Sequence, residues 1–373
     1  MRGFIRQLRR RLGPERLLPI LLFVMVAGGV GLAFANLFAN LHARNIASGF
    51  GYLSQAAGFE IGESWIRYTP QMSAARALLV GLINTLVAGG AVAVFITLIG
   101  LLAGLVLSFG GEVGQAVLAR YVGLTRNMPV LLHLVVWYSV FREGLPPPRS
   151  ALTLGPIVLS NRGLILPVPE GSGGWVELAI AVASAAGLAA VARAAKGRWS
   201  AAWTVFALLA GFLIWLCLLP MSVPMLRGFN YAGGWAISPE FCALVLALGL
   251  YGGGYVTEIV RGAVNSFPRG QVESAFALGL SRVQFFLLVM TPQLARSIAP
   301  AMVNQYVNVI KWTSLGIVIG YPDLISVSNM SLTQTGQAVE AIALILAIYL
   351  AISLFVSFVS QRVFGNTTET TLR

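Results

Sequence analysis

What most constrains this chain is the length of the runs between its charged residues. No charge occurs from Leu17 to Ala35 or from Ala77 to Gly111. About 20 consecutive apolar residues are enough for a helix to cross a bilayer. Similar uncharged runs lie at 127–141, 178–192, 200–220, 241–257 and 341–361, and another at 297–321 is interrupted only by Lys311. Backbone polar groups have no water to bond to in hydrocarbon, so each run is read as a helix. The reading is an all-α polytopic membrane protein of about eight transmembrane helices. Composition agrees: 57% of residues are apolar and 10% charged, where soluble domains carry roughly a quarter charged. The net charge of +12 does not indicate nucleic acid, because the basic residues sit in short clusters between apolar runs, as membrane proteins carry them. Cys217 and Cys242 both fall in or beside apolar runs, which excludes a disulfide scaffold or a cysteine metal centre.

The start of the chain, a basic stretch followed by an apolar one, has the outline of a signal peptide. No small-residue cleavage site follows it, so a retained first helix is expected. Six arginines precede Leu17, which places the N-terminus in the cytoplasm. Counting through eight spans then puts Arg193, Lys196, Arg198, Arg261, Arg269, Arg282 and the C-terminus on the same side. The segments 39–76, 143–174 and 221–239 fall outside, with a short outer turn near 322–336. The run from Ala77 is expected to be an overlong helix ending near Phe109, with Gly110-Gly111 as the turn.

The inner loop SFPRGQVESAFALGLSRVQFFLLVMTP, residues 266–292, reads as two helices meeting at a tight corner. The first runs from about Gly270 to Leu278, with Glu273 placed where a carboxylate suits the helix dipole. Gly279 suits a left-handed cap. Ser281 with Gln284 forms a capping-box pattern, and Leu280 with Phe285 occupies the staple positions. Pro292 interrupts the second helix. Small residues at Ser274, Ala275 and Ala277 would let the first helix lie in a groove of another protein, or it is an ordinary interfacial linker.

Glu273-Ser274-Ala275, Gly279 and Val289-Met290-Thr291-Pro292 resemble the EAA signature of ABC-importer permeases, with Ser in place of the first Ala and Thr in place of Leu. The flanking runs YGGGYVTEIVRGAV and NQYVNVIKWTSLGIVIGYPDLISV are similar to the polar amino-acid permease family, the histidine/glutamate/glutamine group. ARYVGLTRNMPVLLHLVVWY resembles its second core helix. NIASGFGYLSQAAGFEIGES and NRGLILP narrow the resemblance to the larger permease subunit of general L-amino-acid importers. The resemblance implies a type I ABC-importer permease core of five helices, near 77–109, 115–141, 240–262, 290–321 and 338–361. An extra N-terminal helix and an inserted helical pair would sit outside it. The expected organisation begins with a basic N-terminus (1–16), an extra helix (17–38) and a periplasmic segment (39–76). The first core segment (77–142), the inserted loops and helical pair (143–239), the second core segment (240–362) and a cytoplasmic tail (363–373) follow. Glu273, Ser274, Ala275, Leu278, Gly279 and Leu280 would form the coupling helix. It would dock on an ATP-binding-cassette ATPase dimer, beside a second homologous permease subunit. A periplasmic amino-acid-binding protein would deliver the solute, and the setting implied is a bacterial inner membrane.

Ionisable residues at membrane depth are costly unless paired or facing water. Lys311, with Thr313 and Ser314 after it, would either meet the carboxylate of an amino-acid substrate or be neutralised by a structural carboxylate. Arg126-Asn127-Met128-Pro129 places a charge, an amide and a helix breaker at a span entrance. His133 stands where the family usually has Gln, either as a pore-facing substitute for that amide or as a packed histidine. Gln305 completes the candidate pore residues. Gly123 and Trp312 also depart from the family's pattern. Glu258 and Arg261 have the spacing of a helical ion pair. The pairs Gly100/Gly104 and Gly249/Gly253 permit close helix packing. There is no GxxxxGK[ST] loop, so ATP and Mg would be bound by the partner, and the chain itself is expected to be non-catalytic and without cofactor or metal. An ion-coupled secondary transporter would need a carboxylate at mid-membrane, but Glu112, Glu258 and Glu340 all fall at span edges. An intramembrane enzyme would need a catalytic constellation at depth that the chain lacks.

Overall fold

The computed structural model describes residues 14–43, 49–169 and 221–364. The inserted pair expected at 178–192 and 200–220, Cys217, and the basic start and the tail of the chain lie outside the described residues. Five helical stretches among these are long and apolar enough to cross a membrane: Leu18–Asn36, Ala74–Phe109, Pro239–Asn265, Arg282–Ile319 and Ala338–Val359.

Helix α1 (Pro14–Ala43) is exposed along Leu18–Asn36. Helix α2 (Ala74–Phe109) starts at Ser73, whose hydroxyl accepts the Arg76 N–H, and stops at Gly110, as the sequence indicated. At 1.5 Å per residue it is about 54 Å long, well beyond a hydrocarbon core of about 30 Å. The next expected span is two helices, α3 (Glu112–Asn127) and α4 (Val130–Ser139), followed by a π-turn at Val140–Gly144. Pro129 causes the break: it forces Met128 into extended backbone, at φ −97° and ψ 138°.

Helix α5 (Pro239–Asn265) is the hub of the bundle, and its interface with α2 is the largest. The two glycine pairs lie in this seam. An added Cβ at Gly100 would stand 2.3 Å from Val256 Cγ1, one at Gly104 2.6 Å from Val260 Cβ, and one at Gly249 2.0 Å from Phe95 Cδ1. The successive glycines 252–254 point to different neighbours, namely Ile96 of α2, Ile99 with Tyr121, and Thr125 of α3. Tyr121 Oη donates to the Leu250 carbonyl at 2.6 Å. The main core forms around this seam, from Val92 and Ile96 to Leu244, Leu248, Val256 and Tyr321.

After α5 come α6 (Arg269–Ala277), α7 (Arg282–Phe285), a π-turn (Phe286–Met290) and α8 (Thr291–Trp312). Pro292 therefore does not end the helix. The extra residue of the π-turn absorbs the missing proline N–H, and Thr291 Oγ1 bonds the Phe286 carbonyl at 2.8 Å. A 3₁₀ stretch (Thr313–Ile319) leads to α9 (Leu324–Thr335) and α10 (Ala338–Phe364). The expectation of a short turn at 322–336 is corrected here, since α9 is a 12-residue helix. Asp323 caps it by accepting the Ser326 N–H at 2.8 Å. Leu324, Val327, Ser328 and Ser331 are its buried residues, at helical spacing.

The all-α expectation also needs correction. The described residues are mostly helical, but 152–169 and 221–237 form small antiparallel sheets. Strands β1 (Leu152–Leu154), β2 (Ile157–Ser160), β3 (Gly163–Leu166) and β8 (Trp235–Ile237) pair in that order. Strands β4 (Val168–Pro169) and β5 (Met221–Ser222) pair with each other, as do β6 (Met225–Arg227) and β7 (Asn230–Ala232). Registers Leu154↔Ile157, Ser160↔Gly163 and Arg227↔Asn230 leave two-residue loops, the tightest hairpin connection. In α-helical membrane proteins such short strands stand outside the hydrocarbon.

The loop before α2 is tied to the bundle by buried polar contacts. Asn84 Nδ2 donates to the Glu63 carbonyl at 2.9 Å and the Pro322 carbonyl at 2.8 Å, while Tyr321 Oη donates to the Asn84 carbonyl at 2.9 Å. Leu324 N–H donates to Thr85 Oγ1 at 3.0 Å. Burial raises the Asp323 carboxyl, between spans, to about 7, against backbone N–H bonds that lower it.

Gly100→Leu is expected to destabilise the solubilised chain by about 1–3 kcal/mol through overpacking, read as a lower thermal midpoint. Gly90→Leu should leave the midpoint unchanged, since a Cβ there meets nothing within 4 Å. Asp323 should make stability pH-dependent. A carboxyl raised in the folded state favours folding most below its unfolded pKa near 4. That contribution is lost as pH rises towards about 7. Thermal midpoints across pH 4–8 should therefore fall more steeply for the parent than for Asp323→Asn.

Candidate functional site

The corner folds as its capping residues dictate. Helix α6 ends at Ala277 with Leu278 as its cap residue, and Gly279 takes φ +78°. Its N–H donates to the Phe276 carbonyl at 2.9 Å and the Leu280 N–H to the Ala275 carbonyl at 3.1 Å, the two bonds of a Schellman motif. Both halves of the capping box are present: Gln284 N–H to Ser281 Oγ at 3.3 Å, and Ser281 N–H to Gln284 Oε1 at 2.9 Å. Beneath lies a separate small core of Ala275, Phe285, Met290 and Leu294, with Val264, Phe267 and Leu280 packed against it. Phe285 meets Phe267 and Phe276 at centroid separations of 5.9 and 5.6 Å.

The six corner residues singled out by sequence divide between two faces. Glu273, Ser274, Leu278 and Gly279 are exposed, Leu278 at 81%. Ala275 is buried and Leu280 half-buried, both facing the corner's core. Phe276 and Val283 share the exposed side. Sequence reading passed over them because an aromatic and a β-branched residue at an interface are as readily assigned to lipid. Gln271 Oε1 accepts from Gln293 Nε2 at 2.8 Å, which links α6 to α8.

The candidate pore residues do not gather at one point. Arg126 ends α3, with Nη1 4.0 Å from Glu258 Oε2 and its guanidinium 5.8 Å from the Tyr255 ring centroid. Glu258 also pairs with Arg261, at 2.7 Å, as their spacing foretold. Asn127 is exposed at the end of α3. His133 is buried in α4, its ring 5.7 Å from Tyr251 and its Nε2 without a hydrogen-bond partner among the described residues. The buried Gln305 Oε1 likewise has none. Thr313 and Ser314 bond back to the Ile310 and Lys311 carbonyls at 2.7 and 2.6 Å. Lys311 is exposed in the last turn of α8 and makes no ion pair among the described residues.

A feature not singled out from sequence joins several of these positions. Tyr251 and Tyr255, one turn apart on α5, have ring centroids 5.2 Å apart and hydroxyls 3.2 Å apart. Tyr251 also meets Trp312 edge-on at 5.3 Å. A ladder thus runs from Arg126 through Tyr255 and Tyr251 to His133 and Trp312, offering ring faces and hydroxyls. The signal was present in YGGGY, whose i, i+4 tyrosines share one helix face. No group of three or more metal-binding side chains occurs among the described residues.

The sequence pattern of the family described as "Binding-protein-dependent transport system inner membrane component" matches residues 96–369. The chain is 38% identical over 356 residues to a general L-amino acid transport system permease protein, AapQ of Rhizobium johnstonii, covering 91% of this chain and 88% of that one. It is 37% identical to the Escherichia coli protein YhdX, over 91% of each chain. It is 30% identical to the glutamate/glutamine/aspartate/asparagine transport system permease protein BztB of Rhodobacter capsulatus, over 91% of this chain and 89% of that one.

Gly279→Val should open the corner, because a β-branched residue at φ +78° is strained by about 1–3 kcal/mol. Trypsin cleavage at the exposed Arg282 is expected to accelerate several-fold in the folded protein. Gly270→Ala, at a position with ordinary φ and open space around it, should leave the rate unchanged.

Proposed function

The chain belongs to the family of binding-protein-dependent transport system inner membrane components, and from that premise we propose that it is one permease half of an ATP-driven L-amino-acid importer. The single observation that carries the coupling role is the corner: two caps and a private aromatic core hold it rigid, while Glu273, Ser274 and Leu278 stay exposed on it. A separate ATPase dimer holds ATP and Mg and hydrolyses the nucleotide. Closure of that dimer moves the corner. Val264 packs against both the corner's core and the main core, so the motion passes into α5 and rocks the bundle as a body.

A second homologous permease completes the pore, and a solute-binding protein delivers the substrate from the side of the sheets. The chain spans the inner membrane eight times, with both termini in the cytoplasm. Acidic and amide amino acids, or a broad set of L-amino acids, fit the names of its relatives. The exposed ammonium of Lys311 suits an α-carboxylate, and the aromatic ladder with His133 and Gln305 offers neutral polar contacts to the remainder of the solute. Arg126, half-exposed and 4.0 Å from Glu258, stands at the end of the same ladder and stays a candidate for the substrate path.

Leu278→Asp and Glu273→Ala should each reduce copurification of the ATPase by about tenfold or more, as expected for a truncated or repelled interface centre. ATP-driven uptake by reconstituted vesicles should fall in parallel, with membrane insertion unchanged. Uptake by the chain without the ATPase, driven by an ion gradient, would overturn the reading in favour of a secondary transporter.

A further inference from the structure

At the end of α5 opposite the corner, the sheets combine positive charge with exposed apolar side chains. Strand β8 leads directly into Pro239, and the corner follows Asn265, about 40 Å further along at 1.5 Å per residue. In 145–169 and 221–238 the charged residues are Arg149, Arg162 and Arg227. All three are exposed, and no carboxylate occurs in either stretch. They converge on the β6–β7 hairpin. The Arg149 guanidinium lies 4.1 Å over the Phe229 ring, Arg162 Nη1 donates to Asn230 Oδ1, and Arg227 closes the strand pair opposite Asn230. Phe229 sits in the two-residue loop at the hairpin tip and is 72% exposed, with Met225 on the same hairpin at 64%.

Two further observations set the level of this hairpin. Strands β4 and β5 pair Val168 with Ser222 and Pro169 with Met221. They thereby bring together the two chain ends that flank 170–220. The sequence from Trp203 to Pro220 is uncharged and strongly apolar, and it ends one residue before β5. Helix α5, long and apolar enough to cross a membrane, begins at Pro239, seven residues after β7 ends at Ala232, which sets the hairpin close to the end of a span. A two-stranded ribbon is by itself marginally stable in water, yet this one presents at its tip a phenylalanine with the Arg149 guanidinium over its ring. Apolar tip, cationic collar and an exposed Trp235 nearby are the signature of an interfacial element.

We propose that this face is a lipid anchor, in which Phe229 and Met225 enter the headgroup layer while Arg149, Arg162 and Arg227 bind the phosphates of anionic phospholipids. Guanidinium groups suit this because they take phosphate oxygens in paired charge-assisted bonds. The anchor would hold the sheets flat against the bilayer and so fix the outer end of α5. The anchor is independent of the importer reading, since it needs neither ATPase nor substrate.

The test uses the full chain in nanodiscs, with Cys217→Ala and Cys242→Ala and an environment-sensitive fluorophore on Phe229→Cys. In phosphatidylglycerol nanodiscs the label should be quenched by headgroup-level nitroxide lipids and shielded from aqueous iodide. With the native Phe229, the Arg149→Gln/Arg162→Gln/Arg227→Gln variant should lose preference for phosphatidylglycerol over phosphatidylcholine, by roughly fivefold per arginine at low salt. The corresponding triple Arg→Lys variant should keep most of it. A label quenched by iodide in both lipids and shielded only when a solute-binding protein is added would overturn the proposal and make this a protein-docking face. Equal lipid preference in parent and Gln variant would also overturn it, as would an equal loss in the Lys and Gln variants, since charge would then not hold the lipid.

Discussion

Close approach at the glycines of α5 governs the rest of the structure. Within a membrane no hydrophobic force draws helices together, because lipid tails are as apolar as the side chains they would replace. Association rests on contact, and contact needs surfaces that can come near. Gly249 and Gly252–Gly254 leave no room for a Cβ on several faces of one helix, so α2 and α3 lie almost on the α5 backbone. Gly100 and Gly104 do the same from the α2 side. Polar groups then add direction: Tyr121 bonds the Leu250 carbonyl exposed at this approach, and Thr125 fills the space beside Gly254.

Because α5 is held so tightly, what is attached to its ends is positioned with it. At one end the strands run into Pro239, with Trp65 meeting Trp235 edge-on and Phe241 at a tilt, at centroid separations of 4.7 and 5.7 Å. At the other, Glu258 carries two arginines and Val264 reaches the core of the corner. The tyrosine ladder runs between them. One helix therefore links the sheets, the tyrosine ladder and the capped corner. Such a linkage suits a permease moved as a rigid body, where a displaced corner must shift the whole bundle rather than bend a loop.

How much of this was legible from sequence depended on the range of the interaction. The corner could be read nearly to the residue, because Gly279, Ser281 and Gln284 act on backbone groups within a few positions. The stop of helix α2 at Gly110 was legible for the same reason, whereas its start after Ser73 precedes Ala77, where the charge-free run begins. Helix α9 was missed: its start depends on a single Asp323 cap and its length on packing against Gly81 and Thr85 of α2, which lie far away in sequence. The sheets were missed because strands of two to four residues leave almost no alternation to read, and their hairpin loops were hidden among prolines and glycines.

Residence in a membrane, the course of most of the long helices and the capped corner after α5 all follow from the order of the residues. Each rests on local hydropathy or on capping, which involve near neighbours only. Packing in three dimensions was needed to set the two glycine pairs against each other across one seam, and to turn Ala275 inward while Leu278 turns out. It was needed also to occupy Arg126 with Glu258, and to bring the tyrosines of α5 against His133 and Trp312. Apart from Ala275, whose partners lie within 20 residues, these are contacts between segments far apart in sequence, and the close approach at the α5 glycines helps bring those segments together.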